Sequence, residues 1–201
     1  PRVEDNGMVG PWEVMPEHYV IEPNGYPLTD TFLKPRIHVI PAADYAIMLE
    51  GALMTQNYLM ELMESRDPNP TSLPILPIIN AGSVFTSRVT YLETEKLHGV
   101  EGLTQLAQSY SVINNHELIY TFQGITNDER YWIGIILPIT HNSLPADQSG
   151  NPFGDDYETF MEQYQTYTGE ISQILINSQD DTFTPNYALI QKVVETINYL
   201  P

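Results

Sequence analysis

The stretch Glu117 to Pro138, ELIYTFQGITNDERYWIGIILP, restricts this chain more than any other, because two strongly β-prone runs flank the polar tetrapeptide Asn127-Asp128-Glu129-Arg130. On the first run Leu118, Tyr120 and Phe122 alternate with Ile119, Thr121 and Gln123, which puts the two sets on opposite faces of a strand. The return run, Trp132 to Leu137, is almost wholly apolar, and a strand apolar on both sides needs cover on both sides. The stretch predicts the central hairpin of a sheet with a layer packed on each face.

The flanking sequence fits that hairpin. Val84 to Leu92 and Gly99 to Gln108 read as strands joined by the polar turn Glu93 to His98, Arg36 to Ile40 reads as another, and His18 to Ile21 is a short candidate. Strand runs joined by short polar turns predict an antiparallel meander rather than a parallel doubly wound sheet. Asp44 offers an N-cap for a helix from Tyr45 to about Glu64, with one apolar stripe through Tyr45, Met48, Leu49, Ala52, Leu53, Met60 and Met63. Ile47, Met54, Tyr58 and Leu62 make a second stripe, so this helix is expected to bury two sides. Arg66 to Asn80 holds Pro68, Pro70, Pro74 and Pro77 and must be an extended connection, with Leu73, Ile75, Leu76 and Ile78 packing over the sheet edge. Asp155 or Asp156 caps a helix carrying Tyr157, Phe160, Met161, Tyr164, Ile171 and Leu175, bent near Gly169. Thr184 and Pro185 open a last helix that buries Leu189, Ile190, Val193, Val194 and Ile197.

The expected fold is α+β: an antiparallel sheet of about six strands packed by helices in an α/β/α sandwich-like arrangement. Residues 1–35, rich in glycine and proline, read as an extended surface arm with Trp12 as its anchor, and residues 36–201 read as one domain.

Charge narrows the partners. With 8 Lys+Arg against 26 Asp+Glu the formal charge is -18, which repels nucleic acid and anionic membrane surfaces. No apolar run approaches the ~18 residues of a spanning helix. The chain has no cysteine, which removes disulfides and thiolate metal sites. It opens on Pro1 rather than Met, which fits a trimmed product and makes secretion an expectation.

The one motif with ion chemistry is Asp147 to Glu158. Counted from Asp147, the oxygen donors Asp147, Ser149, Asn151, Asp155 and Glu158 fall at positions 1, 3, 5, 9 and 12 of an EF-hand-like calcium loop. Position 6 is Pro152 where that loop needs glycine. Two readings stay open: a calcium loop of another kind, or a polar loop whose Asp155 and Asp156 cap the next helix. Histidines 18, 38, 98, 116 and 141 show no zinc-motif spacing. Ser83 lacks the second glycine of a nucleophile elbow, and no phosphate-cradling glycine motif occurs. Glu117 and Glu129 flank the hairpin as the nearest thing to a carboxylate pair, expected at solvated strand ends. Thirteen tyrosines would suit a carbohydrate or peptide platform, although positions such as Tyr120 and Trp132 are explained by core packing.

The runs Tyr120-Thr121-Phe122-Gln123-Gly124-Ile125-Thr126, Tyr131-Trp132-Ile133-Gly134-Ile135-Ile136-Leu137-Pro138 and Leu144-Pro145-Ala146-Asp147 resemble secreted or lipid-anchored bacterial proteins of unassigned function, notably from Chloroflexi-like bacteria. The likeness covers roughly residues 36–147. It implies an extracytoplasmic bacterial setting and supplies no catalytic residues, and the cysteine that carries a lipoprotein's anchor is absent from this chain. The element order is also similar to the PsbP/Mog1 type of α/β/α sandwich, a fold-level likeness that implies no function. The expected role is a non-catalytic binding or assembly module acting outside the cytoplasm, with a protein partner or self-association. The alternatives are a secreted carboxylate-dependent hydrolase and a subunit of an extracellular polymer.

Overall fold

The computed structural model describes Gly10, residues 13–154 and residues 156–197. Trp12 and Asp155 lie outside the described residues. Six antiparallel strands form one sheet: β1 (Tyr19–Ile21), β2 (Arg36–Pro41), β3 (Gly82–Glu93), β4 (Leu97–Ala107), β5 (Leu118–Thr126) and β6 (Tyr131–Pro138). Their order is β1-β2-β6-β5-β4-β3, so β3 to β6 are the expected meander and β2 closes on the outer side of the central hairpin. The hairpin pairs Ile125 with Trp132 and Ile119 with Pro138. Its turn uses Glu129 at φ 59, a left-handed conformation uncommon for a residue with a side chain.

Both faces of the sheet are covered, which explains the unbroken apolarity of β6. Ile133, Ile135 and Leu137 join Leu118, Tyr120 and Phe122 in one core, against α3 (Tyr157–Asn177) and α4 (Tyr187–Glu195). Trp132 points the other way, into a core with Ile40, Val100 and Ile125 built against α1 (Ala42–Met48) and α2 (Glu50–Ser65). Two further short strands, β7 (Thr140–His141) and β8 (Phe183–Thr184), pair with each other beside α4. No helix among the described residues is long and apolar enough to cross a membrane.

Several local expectations are corrected. The first helix is broken: Leu49 is extended, with φ -145 and ψ 116, and divides it into α1 and α2. Asp44 sits in the first turn of α1 and does not cap it; the Ala42 N–H donates instead to the Arg130 carbonyl of the hairpin turn at 3.0 Å. The break rotates the stripes, so α2 buries Ala52, Leu59 and Leu62, while Ile47 is 85% and Met54 64% exposed. The extended connection crosses a sheet face rather than an edge: Leu73 and Leu76 are buried in the core on the α2 side. A side chain at Gly134 would strike the Leu76 carbonyl oxygen, so glycine there allows the crossing chain to approach the sheet. The α3 helix runs unbroken through Gly169. Asn186, not Thr184, caps α4, accepting from the Leu189 N–H at 3.3 Å, because Thr184 is occupied in β8 and Leu189 faces outward.

Candidate functional site

The candidate site lies where α3 meets the free edge of the sheet. Strand β3 is that edge, and its register shifts between Ser83 and Thr86 and again between Ser87 and Thr90. Such bulges bend an edge strand and break its ladder. One end of the junction is fastened. The Ser172 hydroxyl donates to the Thr86 carbonyl at 2.7 Å, and the Ser87 hydroxyl donates to the Ser172 carbonyl at 3.0 Å. Arg88, held at φ 53, ion-pairs with Asp180 at 2.7 Å, donates to the Ser178 carbonyl at 2.6 Å and stacks over the Phe183 and Tyr187 rings.

Beyond that clasp the edge and the helix leave a groove made of two adjoining cavities that share Ser83, Val84 and Gln165. One, of about 400 Å³, is walled by Asn69 to Thr71, Ser83 to Thr86 and the Thr168 to Gln173 side of α3. The other, of about 570 Å³, is walled by Gln108 to Tyr110 and by Tyr157, Met161 and Tyr164. Both volumes fall in the range of ligand pockets. In a chain of net charge -18, neither cavity is lined by a carboxylate or a cationic side chain among the described residues.

Its aromatic floor is fixed by hydrogen bonding. The Tyr164 hydroxyl donates to the Ser111 carbonyl at 3.2 Å, and burial pushes its pKa up to about 12. Tyr110 packs edge-on against that ring at 4.7 Å between centroids. Tyr110 and Tyr157 are 46% and 51% exposed. Within the described residues the Tyr110 and Tyr157 hydroxyls and the Gln165 and Gln173 side-chain amides take no protein hydrogen bond, so these groups are free to meet a ligand.

No family model matches this chain. Curated proteins and solved structures give no match either, so the function has to be argued from the groove's own chemistry.

The described residues of the candidate calcium loop line neither cavity. Asp147 caps the single 3-10 turn Gln148–Gly150, accepting from the Ser149 N–H at 2.8 Å and the Ser149 hydroxyl at 2.5 Å. These bonds hold its carboxyl below the usual range. Asn151 spends its amide on the Phe153 N–H and the Gly154 carbonyl. Asp156 caps α3 through the Thr159 N–H and hydroxyl, and Glu158 lies exposed in the first helical turn. Among the described residues no three histidine or carboxylate side chains gather as a metal cage would. With Asp147 and Asn151 bonded within the loop, thermal unfolding is expected to shift no more in millimolar Ca²⁺ than in Mg²⁺, each measured against EGTA. A calcium-specific rise lost in Asp147→Ala and Glu158→Ala would establish the calcium loop instead.

Glu117 and Glu129 do not form an exposed pair. Glu117 leaves the solvated end expected for it and accepts from Gln105, Asn114 and Gln148 at 2.8, 3.2 and 2.6 Å. Glu129 stays exposed at the turn. Glu101 on β4 is buried and burial pushes its carboxyl upward, the property of an acid catalyst, but the Tyr120 hydroxyl and Gln191 amide cover its two oxygens at 2.6 and 2.5 Å. It lines none of the four principal cavities. Glu61, Glu64 and Glu93 do share an open cavity with His98, where Glu93 is ion-paired to Arg66. Ser83 lines the groove, yet its hydroxyl pairs with Thr104 at 2.7 Å and has no histidine on it.

Two histidines do meet. His18 Nε2 lies 3.2 Å from His38 Nδ1 with the rings stacked. Spacing motifs missed this because the pairing of β1 and β2, with Val20 opposite His38, makes the contact.

Proposed function

We propose that this chain is a non-catalytic binding module acting outside the bacterial cytoplasm, and that it holds its ligand in the groove between β3 and α3. The observation that carries the reading is the groove itself: two adjoining cavities, exposed tyrosines and unspent amide groups, with no carboxylate, cation or activated nucleophile lining them among the described residues. Catalysis of acyl or glycosyl transfer requires such groups at the reacting bond, whereas recognition requires only shape and hydrogen bonds. The extracytoplasmic setting rests on the resemblance described above.

The test is amide NMR of the chain titrated with bacterial envelope extract. Shifts are expected to concentrate at Tyr110, Gln165 and Gln173 and to disappear in a Tyr110→Ala/Gln165→Ala variant. Hydrolysis of any of a panel of chromogenic glycosides, abolished by Glu101→Gln or Glu117→Gln, would replace this reading with the hydrolase.

An assembly role has one observation of its own, the outward apolar residues Ile47 and Met48 on α1 and Leu53, Met54 and Met60 on α2. Exposed apolar area of this kind marks contact surfaces, and the occupant we assign is a second copy of the chain. Light scattering at high concentration is expected to show association that an Ile47→Glu/Met54→Glu variant lacks; a monomer at all concentrations ends that reading.

A further inference from the structure

We infer that the ligand of the β3–α3 groove is an uncharged oligosaccharide. This rests on the binding-module reading above and adds the chemical class. Four classes of ligand can be compared against the same walls. Anionic ligands, including nucleic acid and acidic polysaccharide, meet a chain of net charge -18 and a groove with no cationic side chain. Cationic ligands find no carboxylate in the lining. A purely apolar ligand would leave the hydroxyls and amides of Thr71, Ser109, Gln165 and Gln173 desolvated without partners.

An extended peptide is the fourth class, and it would bind by adding a strand to β3. That edge is poorly made for it. The ladder is interrupted at Ser83/Thr86 and at Ser87/Thr90. The Thr86 carbonyl is already taken by Ser172. Arg88 has left the extended conformation altogether, at φ 53. A regular row of backbone donors and acceptors is the source of affinity in strand addition, and here the row is broken at the groove.

A neutral sugar matches what remains. A pyranose ring carries a face of C–H groups that stacks on an aromatic ring and a rim of hydroxyls that both donate and accept. Tyr110 and Tyr157, half exposed at one end of the groove, supply the stacking surface. Gln165 and Gln173, both on α3, supply amides whose N–H groups donate and whose oxygen accepts, which suits vicinal hydroxyls. Two adjoining cavities that share Ser83, Val84 and Gln165 suit several linked rings rather than one.

The test is an array of neutral glycans, followed by amide NMR titration with the best binder and, in parallel, with an uncharged extended peptide. Saturable shifts at the groove with a neutral oligosaccharide are the expected result. Tyr110→Ala and Tyr157→Ala are each expected to weaken binding about tenfold, the equivalent of one lost aromatic contact. Each variant also loses a ring contact, Tyr110 with Tyr164 and Tyr157 with Phe160, so its thermal midpoint should fall modestly while its amide spectrum away from the groove stays that of the parent. If the peptide shifts the groove and no glycan does, the sugar assignment falls while the binding-module reading stands. If neither ligand moves groove resonances, or a glycan binds elsewhere, both fall.

Discussion

Substituting Gln123 by leucine is expected to cost the fold about 2–6 kcal/mol, because it orphans two buried donors worth about 1–3 kcal/mol each. Gln123 is fully buried on β5. Its Oε1 accepts from the Leu76 N–H at 3.1 Å and from Trp132 Nε1 at 2.8 Å, and its Nε2 donates to the Thr121 hydroxyl at 2.8 Å. One amide thus ties the proline-rich connection to the middle of the sheet and satisfies the indole of the largest core residue. Leucine fills nearly the same volume, so the loss is one of polar satisfaction rather than packing. Against a typical stability of about 5–15 kcal/mol this leaves a marginal protein. Urea unfolding should show the loss as a lower midpoint at unchanged slope. Trp132→Phe is expected to cost less in the Gln123→Leu background than in the parent, because one orphan leaves with the indole, a coupling a double-mutant cycle detects. A Gln123→Leu midpoint indistinguishable from the parent's would show that the amide does not hold the connection down.

The same residue shows how far sequence reaches here. Alternation placed Gln123 on the face opposite Tyr120 and Phe122, and the apolar run Trp132 to Leu137 required cover on both sides; the two cores confirm both points. Strand identity and meander order were legible because each pairing from β3 to β6 joins neighbours in the chain. What periodicity could not supply was anything set by distant segments. The break at Leu49 follows from docking the start of α1 on the hairpin turn, through the Arg130 carbonyl, and no local propensity encodes that. Thr184 has good capping chemistry, but pairing with Thr140 overrides it. The groove was invisible for the same reason: Thr71, Ser83, Tyr110 and Gln165 come from four separate segments, each of which reads alone as a loop, a strand end or an outer helix face. In the one pattern with a regular ligand spacing, Asp147 to Glu158, Asp147 accepts from the Ser149 N–H and Asp156 from the Thr159 N–H, contacts that ligand spacing does not encode.

Acidification is expected to weaken the chain by about 3 kcal/mol through His38 alone, and the sign follows from where its proton goes. His38 is buried beneath β1, and burial, with the charges of His18 and Arg36 as lesser causes, lowers its pKa from 6.5 to about 4. The folded protein therefore keeps it neutral between those values while the unfolded chain takes up a proton. The unfolded state binds more protons in that window, so stability is full above pH 6.5 and falls as the pH drops toward about 4. Hydrogen bonding fixes the tautomers of the neutral pair. His18 Nδ1 lies 3.1 Å from the Pro16 carbonyl, which can only accept, so that nitrogen carries a proton. In the neutral pair His18 Nε2 must accept from His38 Nδ1. The contact sits at the sheet's other edge, where the three residues of β1 are exposed and pair with β2 alone, so the segment before β2 should open first. Urea midpoints for the parent and His38→Phe at about pH 7 and about pH 4.5 check this, with the parent losing more on acidification than the variant. Hydrogen exchange at Tyr19 to Ile21 should rise in the parent over the same interval, beyond the intrinsic pH effect. Identical pH profiles in the two proteins would show that another group carries the acid sensitivity.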